Sequence, residues 1–169
     1  MISIVQYEHM NEKAIFAAGC FWGVEYYFQH AAGVISTRVG YTGGNVENPS
    51  YEEVCSKTTS HFEAIEIIFD TEKTNYEQLT KLFFSIHDFS QENGQGPDIG
   101  PQYLSAIFYL NEKQKQTAEE LIKELEKRGY KVATHLKPAS TFYPAENYHQ
   151  KYYEKTGKEP YCHIFRKIF

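Results

Sequence analysis

The sequence contains no apolar run long enough to span a bilayer. Its first residues, MISIVQYEHMNEK, also do not combine a basic start with a long apolar stretch, so we expect neither a signal peptide nor a membrane anchor. Without an export signal, the expected location is the cytoplasm, where reducing conditions keep cysteines as thiols.

Cysteine is scarce, with only Cys20, Cys55 and Cys162 in the chain. An odd number leaves at least one thiol unpaired, and in a reducing compartment we expect thiols rather than a disulfide framework. The histidines and cysteines do not show the paired spacing of zinc sites, which argues against a metal-binding module. We therefore expect no metal and no other cofactor.

Positive charge is also in short supply, since 17 Lys and Arg face 22 Asp and Glu and the net charge is -5. That balance argues against nucleic acid as a partner. A chain of 169 residues with 41% hydrophobic residues can form one domain with its own core. No repeat or linker divides it, so we expect a single domain over residues 1–169, with an N-terminal extension at 1–12, and a monomer.

Strand-like and helix-like segments alternate along the chain. Period-2 or short apolar patterns predict strands at 14–19, 33–41, 62–69, 103–110 and 130–136. Helical spacing of apolar residues predicts helices at 21–31, 74–89, 111–129 and 144–157. The tail after these, 156–169, is irregular and is expected to be mobile.

This order predicts an α/β (α+β) fold. We expect a mixed sheet with a split βαβ, ferredoxin-like core, flanked by helices and followed by the irregular tail. The loop at 90–102 is rich in Gly and Pro, and loops of this kind carry function more often than packing.

Cys20 lies in the stretch GCFWG, where a predicted strand gives way to a predicted helix. The free N–H groups and the dipole of a helix N-terminus favour a thiolate, and Gly19 and Gly23 leave room for another molecule to approach. A buried cysteine packed under the aromatic rings of Phe21 and Trp22 fits these physical cues equally well. Both readings stay open on the residues alone.

The wider set of motifs resembles one family. From about residue 14 to about residue 162 the chain carries GCFWGVE, VGYTGG, NPSYEEVC, SHFEA, HDFSQENGQGPDIGPQY and FYPAENYHQKYY. In this order they are similar to peptide methionine sulfoxide reductase A. The resemblance implies a thiol-dependent reductase that converts methionine S-sulfoxide, free or in proteins, to methionine and so repairs oxidised proteins.

The resemblance also implies roles for individual residues. Cys20 would be the nucleophile, while the rings of Phe21 and Trp22 would bind the methyl group of the sulfoxide. Glu63 would be the acid that bonds to the sulfoxide oxygen, and a carboxyl against aromatic walls should have a raised pKa. The remaining matches are two phenols that share this oxygen and a loop aspartate that orients the site: Tyr51, Tyr103 and Asp98.

Five positions differ from the residues usual in the family. They are Ser60 in place of Gly, and Gly94, Pro97, Pro101 and Leu104 in place of Arg, Asn, Thr and Arg. The last four lie around Asp98 and beside Tyr103. None involves Cys20 or Glu63.

The second half of the implied reaction needs another thiol. Attack by Cys20 would leave a sulfenic acid, which condenses readily with a thiol. The resemblance assigns this resolving role to Cys162 in the tail, and it implies that thioredoxin then reduces the Cys20–Cys162 disulfide. Cys55 matches a family position without a chemical role, and we expect it to be a small buried residue.

A different enzyme class remains as the alternative. A cysteine hydrolase would pair Cys20 with a histidine base such as His61 or His149. Such an enzyme would act on an ester or an amide without a reductant.

Overall fold

The computed structural model describes residues 11–169, so the predicted extension at 1–12 lies outside the described residues except for its last two positions. The eight strands are β1 (Asn11–Ala18), β2 (Val34–Thr42), β3 (Phe62–Asp70), β4 (Gly94–Gln95), β5 (Asp98–Ile99), β6 (Ser105–Tyr109), β7 (His135–Pro138) and β8 (Tyr143–Pro144). The five α-helices are α1 (Phe21–Gln29), α2 (Tyr51–Cys55), α3 (Tyr76–Ser85), α4 (Glu112–Lys127) and α5 (Tyr152–Thr156). Short 3-10 turns span Pro101–Tyr103 and Asn147–His149.

Six of the strands form one sheet in the order β7-β6-β1-β3-β2-β8. All neighbours are antiparallel except β6 and β7, which are parallel, so the sheet is mixed as predicted. Its inner order, β6-β1-β3-β2, inserts β3 between β1 and β2, the two strands that α1 connects. That arrangement confirms the predicted split βαβ core.

Both faces of the central strands are covered. Phe16 stacks on Phe28 of α1 and Phe83 of α3, with ring centroids 5.5 and 5.0 Å apart. On the opposite face, Ile15 and Ala17 belong to a smaller buried cluster. Burial on both faces is the reason why β1 reads as the continuous apolar run AIFAA rather than as an alternating strand.

Several elements differ from the sequence-based prediction, among them the two-residue strands β4, β5 and β8, which were not predicted. The strand predicted at 130–136 is only His135–Pro138, because Gly129 adopts φ 90° and the Tyr130 N–H still bonds to the helix carbonyl of Leu125. The helix predicted at 144–157 is divided, since Lys151 adopts φ 52° before α5. Helix α2 was not predicted, although Ser50 and Glu53 form a capping box at its start.

The tail after α5 has no helix or strand, as predicted, but it packs against the domain. The Arg166 N–H bonds to the Ser85 carbonyl at 2.7 Å, and Arg128 bonds to the Ile168 carbonyl at 2.6 Å. The Phe169 ring also contacts the main core. The segment expected to be mobile is thus held at its end by α3 and α4.

No helix within residues 11–169 combines the length and the hydropathy that a membrane crossing needs.

The Phe16 ring is fully buried between two other phenylalanine rings, so Phe16→Ala should leave a cavity at the centre of the fold. We expect a loss of about 3–5 kcal/mol in the free energy of unfolding, measured by urea denaturation. Ile35→Ala is the matched control, since Ile35 is 54% exposed and should change stability by less than about 0.5 kcal/mol. A loss below that of the control would contradict the assigned core.

Candidate active site

Cys20 lies between β1 and α1, at the turn predicted from the sequence. Strand β1 ends at Ala18, Gly19 turns the chain with φ 88°, and Cys20 is the N-cap residue of α1. A positive φ of this kind is adopted without strain by glycine, which explains Gly19. The backbone N–H of Trp22 lies beside the Cys20 sulfur and lowers the pKa of that thiol, as a helix N-terminus should.

The tail brings Cys162 to the same place. Both cysteines are free thiols, and their side chains form a hydrogen bond with each other. Cys20, near the start of the chain, and Cys162, near its end, are therefore adjacent in the fold.

The interaction between the two thiols shifts their pKa values in opposite directions. The hydrogen bond to Cys162, together with burial, raises the pKa of Cys20 well above its usual range and outweighs the Trp22 N–H. The same hydrogen bond lowers the pKa of Cys162 to about 4 against the effect of burial, and the nearby His163 and the Tyr153 hydroxyl act in the same direction. With the tail docked, these shifts favour the thiolate on Cys162, whereas the helix N-terminus alone would favour it on Cys20.

Glu63 lies on β3 beside the start of α1. Its Oε1 accepts the Phe21 N–H at 3.3 Å, and its buried Oε2 has no hydrogen-bond partner within the described part of the chain. Burial raises the pKa of Glu63 to about 8; the Phe21 N–H opposes this, and Asp98 adds to it. The carboxyl is therefore mostly protonated at neutral pH, as the sequence predicts.

The two predicted phenols lie near this carboxyl. Tyr51 begins α2 and Tyr103 ends a 3-10 turn, and both are half-buried. Burial raises both pKa values above the usual range, and the charges of nearby Glu63 and Cys55 add to this. Both hydroxyls are thus protonated donors at neutral pH. Cys55 is half-buried and bonds to the Tyr51 hydroxyl, so the expectation of a buried Cys55 is wrong.

Asp98 lies in the β4–β5 hairpin. Burial and the neighbouring Cys162 raise its pKa, whereas His163 lowers it. A side chain at Gly94 would collide with the Asp98 carbonyl, so this hairpin needs the glycine that replaces the usual family residue. Ser60, by contrast, has φ 58°, a left-handed conformation that the family's usual glycine adopts more easily.

The two predicted aromatic residues differ in exposure. The Phe21 ring is 1% exposed and packs with Val39 and Tyr41, so it supports the site from below. Trp22 is half-buried, and its ring stacks on Tyr152 with centroids 3.7 Å apart. Trp22 therefore supplies more of the aromatic surface than Phe21 does.

His149 lies among these aromatic rings, and sequence reasoning missed this position. It is fully buried, its Nδ1 accepts the Trp22 Nε1–H at 2.9 Å, and its ring centroid is 4.5 Å from that of Tyr51. An indole N–H can only donate, so the neutral imidazole carries its proton on Nε2, which lies 3.4 Å from a carboxylate oxygen of Glu146. Burial lowers the pKa of His149 despite that carboxylate.

Neither His61 nor His149 is placed as the base that a hydrolase would need at Cys20. Nδ1 of His149 is already an acceptor for Trp22. His61 uses its ring nitrogens on the Gly44 N–H and the Val46 carbonyl. Neither histidine forms a hydrogen bond to Cys20 among those found for residues 11–169. Over the same residues, no cluster of three or more His, Cys, Asp or Glu side chains could hold a metal ion.

The space beside Gly19 and Gly23 is filled by the chain itself. A Cβ at Gly19 would overlap Gln95, and a Cβ at Gly23 would overlap the ring of His163. The two glycines were expected to admit another molecule; instead they admit the loop and the tail. No pattern in the irregular tail marks His163, so the sequence carries no signal for it.

Comparison with known proteins gives a consistent result. The family model described as peptide methionine sulfoxide reductase matches residues 12–168. MsrA of Methanosarcina acetivorans is 51% identical over 149 residues, covering 86% of this chain and 79% of that protein. MsrA of Methanothermobacter thermautotrophicus is 49% identical over 160 residues, covering 93% and 94%.

Solved structures share the fold. Reduced Mxr1 from Saccharomyces cerevisiae has a TM-score of 0.86 and 30% identity, covering 94% of this chain and 93% of that one. Methionine sulfoxide reductase A of Corynebacterium diphtheriae has a TM-score of 0.79 and 33% identity, covering 90% and 77%. Mxr1 in complex with Trx2 is similar in fold, with a TM-score of 0.64 and 20% identity, covering 94% and 91%.

The raised pKa of Glu63 can be measured without any substrate. A protonated carboxyl has a characteristic C=O stretching band, so infrared difference spectra should contain this band at pH 7 and lose it as pH rises through about 8. Subtracting the Glu63→Gln spectrum removes the contribution of Glu25, whose pKa burial also raises. If the Glu63 band instead vanishes between about pH 4 and 5, close to the usual glutamate pKa of about 4.3, the carboxyl is ionised at neutral pH.

Proposed function

The chain belongs to the peptide methionine sulfoxide reductase A family, and on that premise we propose that Cys20 is the thiol with which it reduces methionine S-sulfoxide, free and in proteins. The observation that carries this proposal is the grouping at the N-terminus of α1. There, the Cys20 thiol, the buried carboxyl of Glu63 and the Cys162 thiol lie together at the start of one helix.

The first step uses the thiol and the carboxyl. The Cys20 thiolate attacks the sulfoxide sulfur, and Glu63 gives its proton to the sulfoxide oxygen. The oxygen then passes from methionine sulfur to Cys20 sulfur, so that the sulfoxide is reduced to a thioether and the thiol is oxidised to a sulfenic acid. The unpartnered Oε2 of Glu63 is free to meet the oxygen.

The other site residues orient the sulfoxide. Tyr51 and Tyr103 remain protonated, so each can donate a hydrogen bond to the oxygen as negative charge develops there. The surface of Trp22, backed by Phe21, faces the methyl group. Asp98 borders the same site from the β4–β5 hairpin and orients it.

The second step uses the docked tail. The Cys162 thiolate attacks the Cys20 sulfenic acid, the S–O bond breaks, and the departing hydroxide takes a proton from solvent and leaves as water, giving a Cys20–Cys162 disulfide. The Tyr153 hydroxyl, 3.7 Å from the Cys162 sulfur, also lowers the pKa of Cys162 and favours the thiolate that this step requires. Contact between the two side chains means that no large movement separates the sulfenic acid from its partner.

Thioredoxin is the reductant that we assign to the disulfide. Support comes from Mxr1, which has the same fold and has a structure in complex with Trx2. Beside Cys162, Tyr161 and Ile164 are 77% and 72% exposed and leave the disulfide's surroundings open to a second protein. The cytoplasm is the location we assign, because reducing systems there keep such thiols reduced.

Cys20→Ser should abolish the release of methionine from methionine S-sulfoxide, because a hydroxyl cannot form the nucleophile that the first step needs. Methionine is measured by chromatography with dithiothreitol as the reductant, and the circular dichroism of the variant should match that of the unmodified protein. Measurable turnover by the folded variant would show that another residue attacks the sulfoxide.

Cys162→Ser should separate the two steps. One methionine per enzyme should still form, and Cys20 should accumulate as a sulfenic acid, which a cyclic 1,3-dione labels for mass spectrometry. Turnover with thioredoxin should collapse, whereas dithiothreitol should restore it by reducing the sulfenic acid directly. Cys55→Ser is the matched control and should keep full thioredoxin-dependent turnover. Full turnover of Cys162→Ser with thioredoxin would assign the resolving role elsewhere.

A further inference from the structure

The ring of His163 occupies a notch in the first turn of α1. Gly23 forms the floor of this notch, since any side chain there would overlap the His163 ring. His163 is 3% exposed although it lies in an irregular tail, and the proposed chemistry leaves it without a role. A buried histidine in such a segment needs a reason for its position.

Hydrogen bonds fix the residue at both its side chain and its backbone. The His163 Nε2 bonds to the carbonyl of Ala18 at 2.6 Å, and since a carbonyl only accepts, this nitrogen carries the proton. The Tyr27 hydroxyl on α1 donates to the His163 carbonyl at 3.2 Å. The end of β1 and two turns of α1 therefore hold this one tail residue.

The neighbours of His163 have no comparable anchor. Ile164 and Phe165 are 72% and 52% exposed, and Tyr161 is 77% exposed. Cys162, directly before His163, is the residue that reaches Cys20. Besides the Tyr153 hydroxyl, 3.7 Å from the Cys162 sulfur, the fixed point nearest to the second thiol is thus His163, the next residue along the chain.

We propose that His163 is the positioning residue of the resolving thiol: its ring, seated against Gly23 and bonded to Ala18, holds Cys162 within reach of Cys20. This inference rests on the proposed function. A tether of one residue confines the Cys162 sulfur near the sulfenic acid and raises its effective concentration there. His163 is needed for the second step alone, because the first step uses groups on α1, α2, β3 and the 3-10 turn.

Single-turnover experiments with methionine S-sulfoxide can separate the two steps. In His163→Ala, methionine release should be no slower than in the unmodified enzyme, because a loosened tail still leaves Cys20 free to form its thiolate. Disulfide formation should slow by about tenfold, the effect of losing one buried hydrogen bond that leaves its acceptor unpaired. It is measured as the ratio of 1,3-dione-labelled Cys20 to disulfide, which should rise by the same factor.

A conservative variant and a matched control make the assignment specific. In His163→Gln, the amide N–H can replace Nε2–H on the Ala18 carbonyl, so most of the disulfide rate should return. Ile164→Ala removes a larger but exposed side chain from the next position and should leave the ratio unchanged. A role in general tail packing would predict no rescue by Gln and a loss for Ile164→Ala.

Gly23→Ala provides an independent variant. Its new methyl group should displace the His163 ring and reproduce the effect of His163→Ala on the labelling ratio. In the double variant the methyl has no ring to displace, so the two effects should not add. Unfolding curves of each variant confirm that the domain is folded.

Two results would overturn the inference. One is a disulfide rate in folded His163→Ala equal to that of the unmodified enzyme. The other is full additivity of the Gly23 and His163 changes. A failure of the proposed function is distinguishable from both, since it would abolish methionine release in the unmodified enzyme.

Discussion

The site depends on the hydrogen bond from the Phe21 N–H to the Glu63 carboxyl. The first N–H groups of a helix have no partners within it. Here the Phe21 N–H bonds to the acid, and the Trp22 N–H lies beside the Cys20 sulfur and lowers the pKa of its thiol. Two adjacent backbone donors therefore place the acid of the proposed reaction beside its nucleophile, and they join the centre of the sheet to the start of α1.

The docked tail gives this site two chemical states. With Cys162 in contact, the hydrogen bond between the two thiols favours a protonated Cys20 and a charged Cys162. Attack on the sulfoxide instead requires a thiolate on Cys20. Departure of Cys162 from the pair would leave the Trp22 N–H beside the Cys20 sulfur, and the helix N-terminus would again favour its thiolate. The same contact thus serves the second step and has to loosen for the first.

Local patterns in the sequence predicted the parts of the site that local structure determines. The apolar run before Gly19 and the helical spacing after it located Cys20, whereas Glu63 was assigned from the resemblance to the family's acid. The tail could not be predicted, because His163 bonds to a carbonyl 145 positions away and its notch exists only once β1 and α1 are packed. His149 was likewise missed as a partner of Trp22, since no spacing in the sequence links residues 127 positions apart.

The most direct measurement of the central claim uses stoichiometric amounts of the enzyme and the two separate epimers of methionine sulfoxide. One direction of thiol attack, one methyl-binding surface and one set of oxygen donors fix a single configuration at sulfur. We expect one methionine per enzyme from the S epimer without reductant, repeated turnover once dithiothreitol is added, and no methionine from the R epimer. Comparable yields from both epimers, or none from the S epimer, would contradict the account.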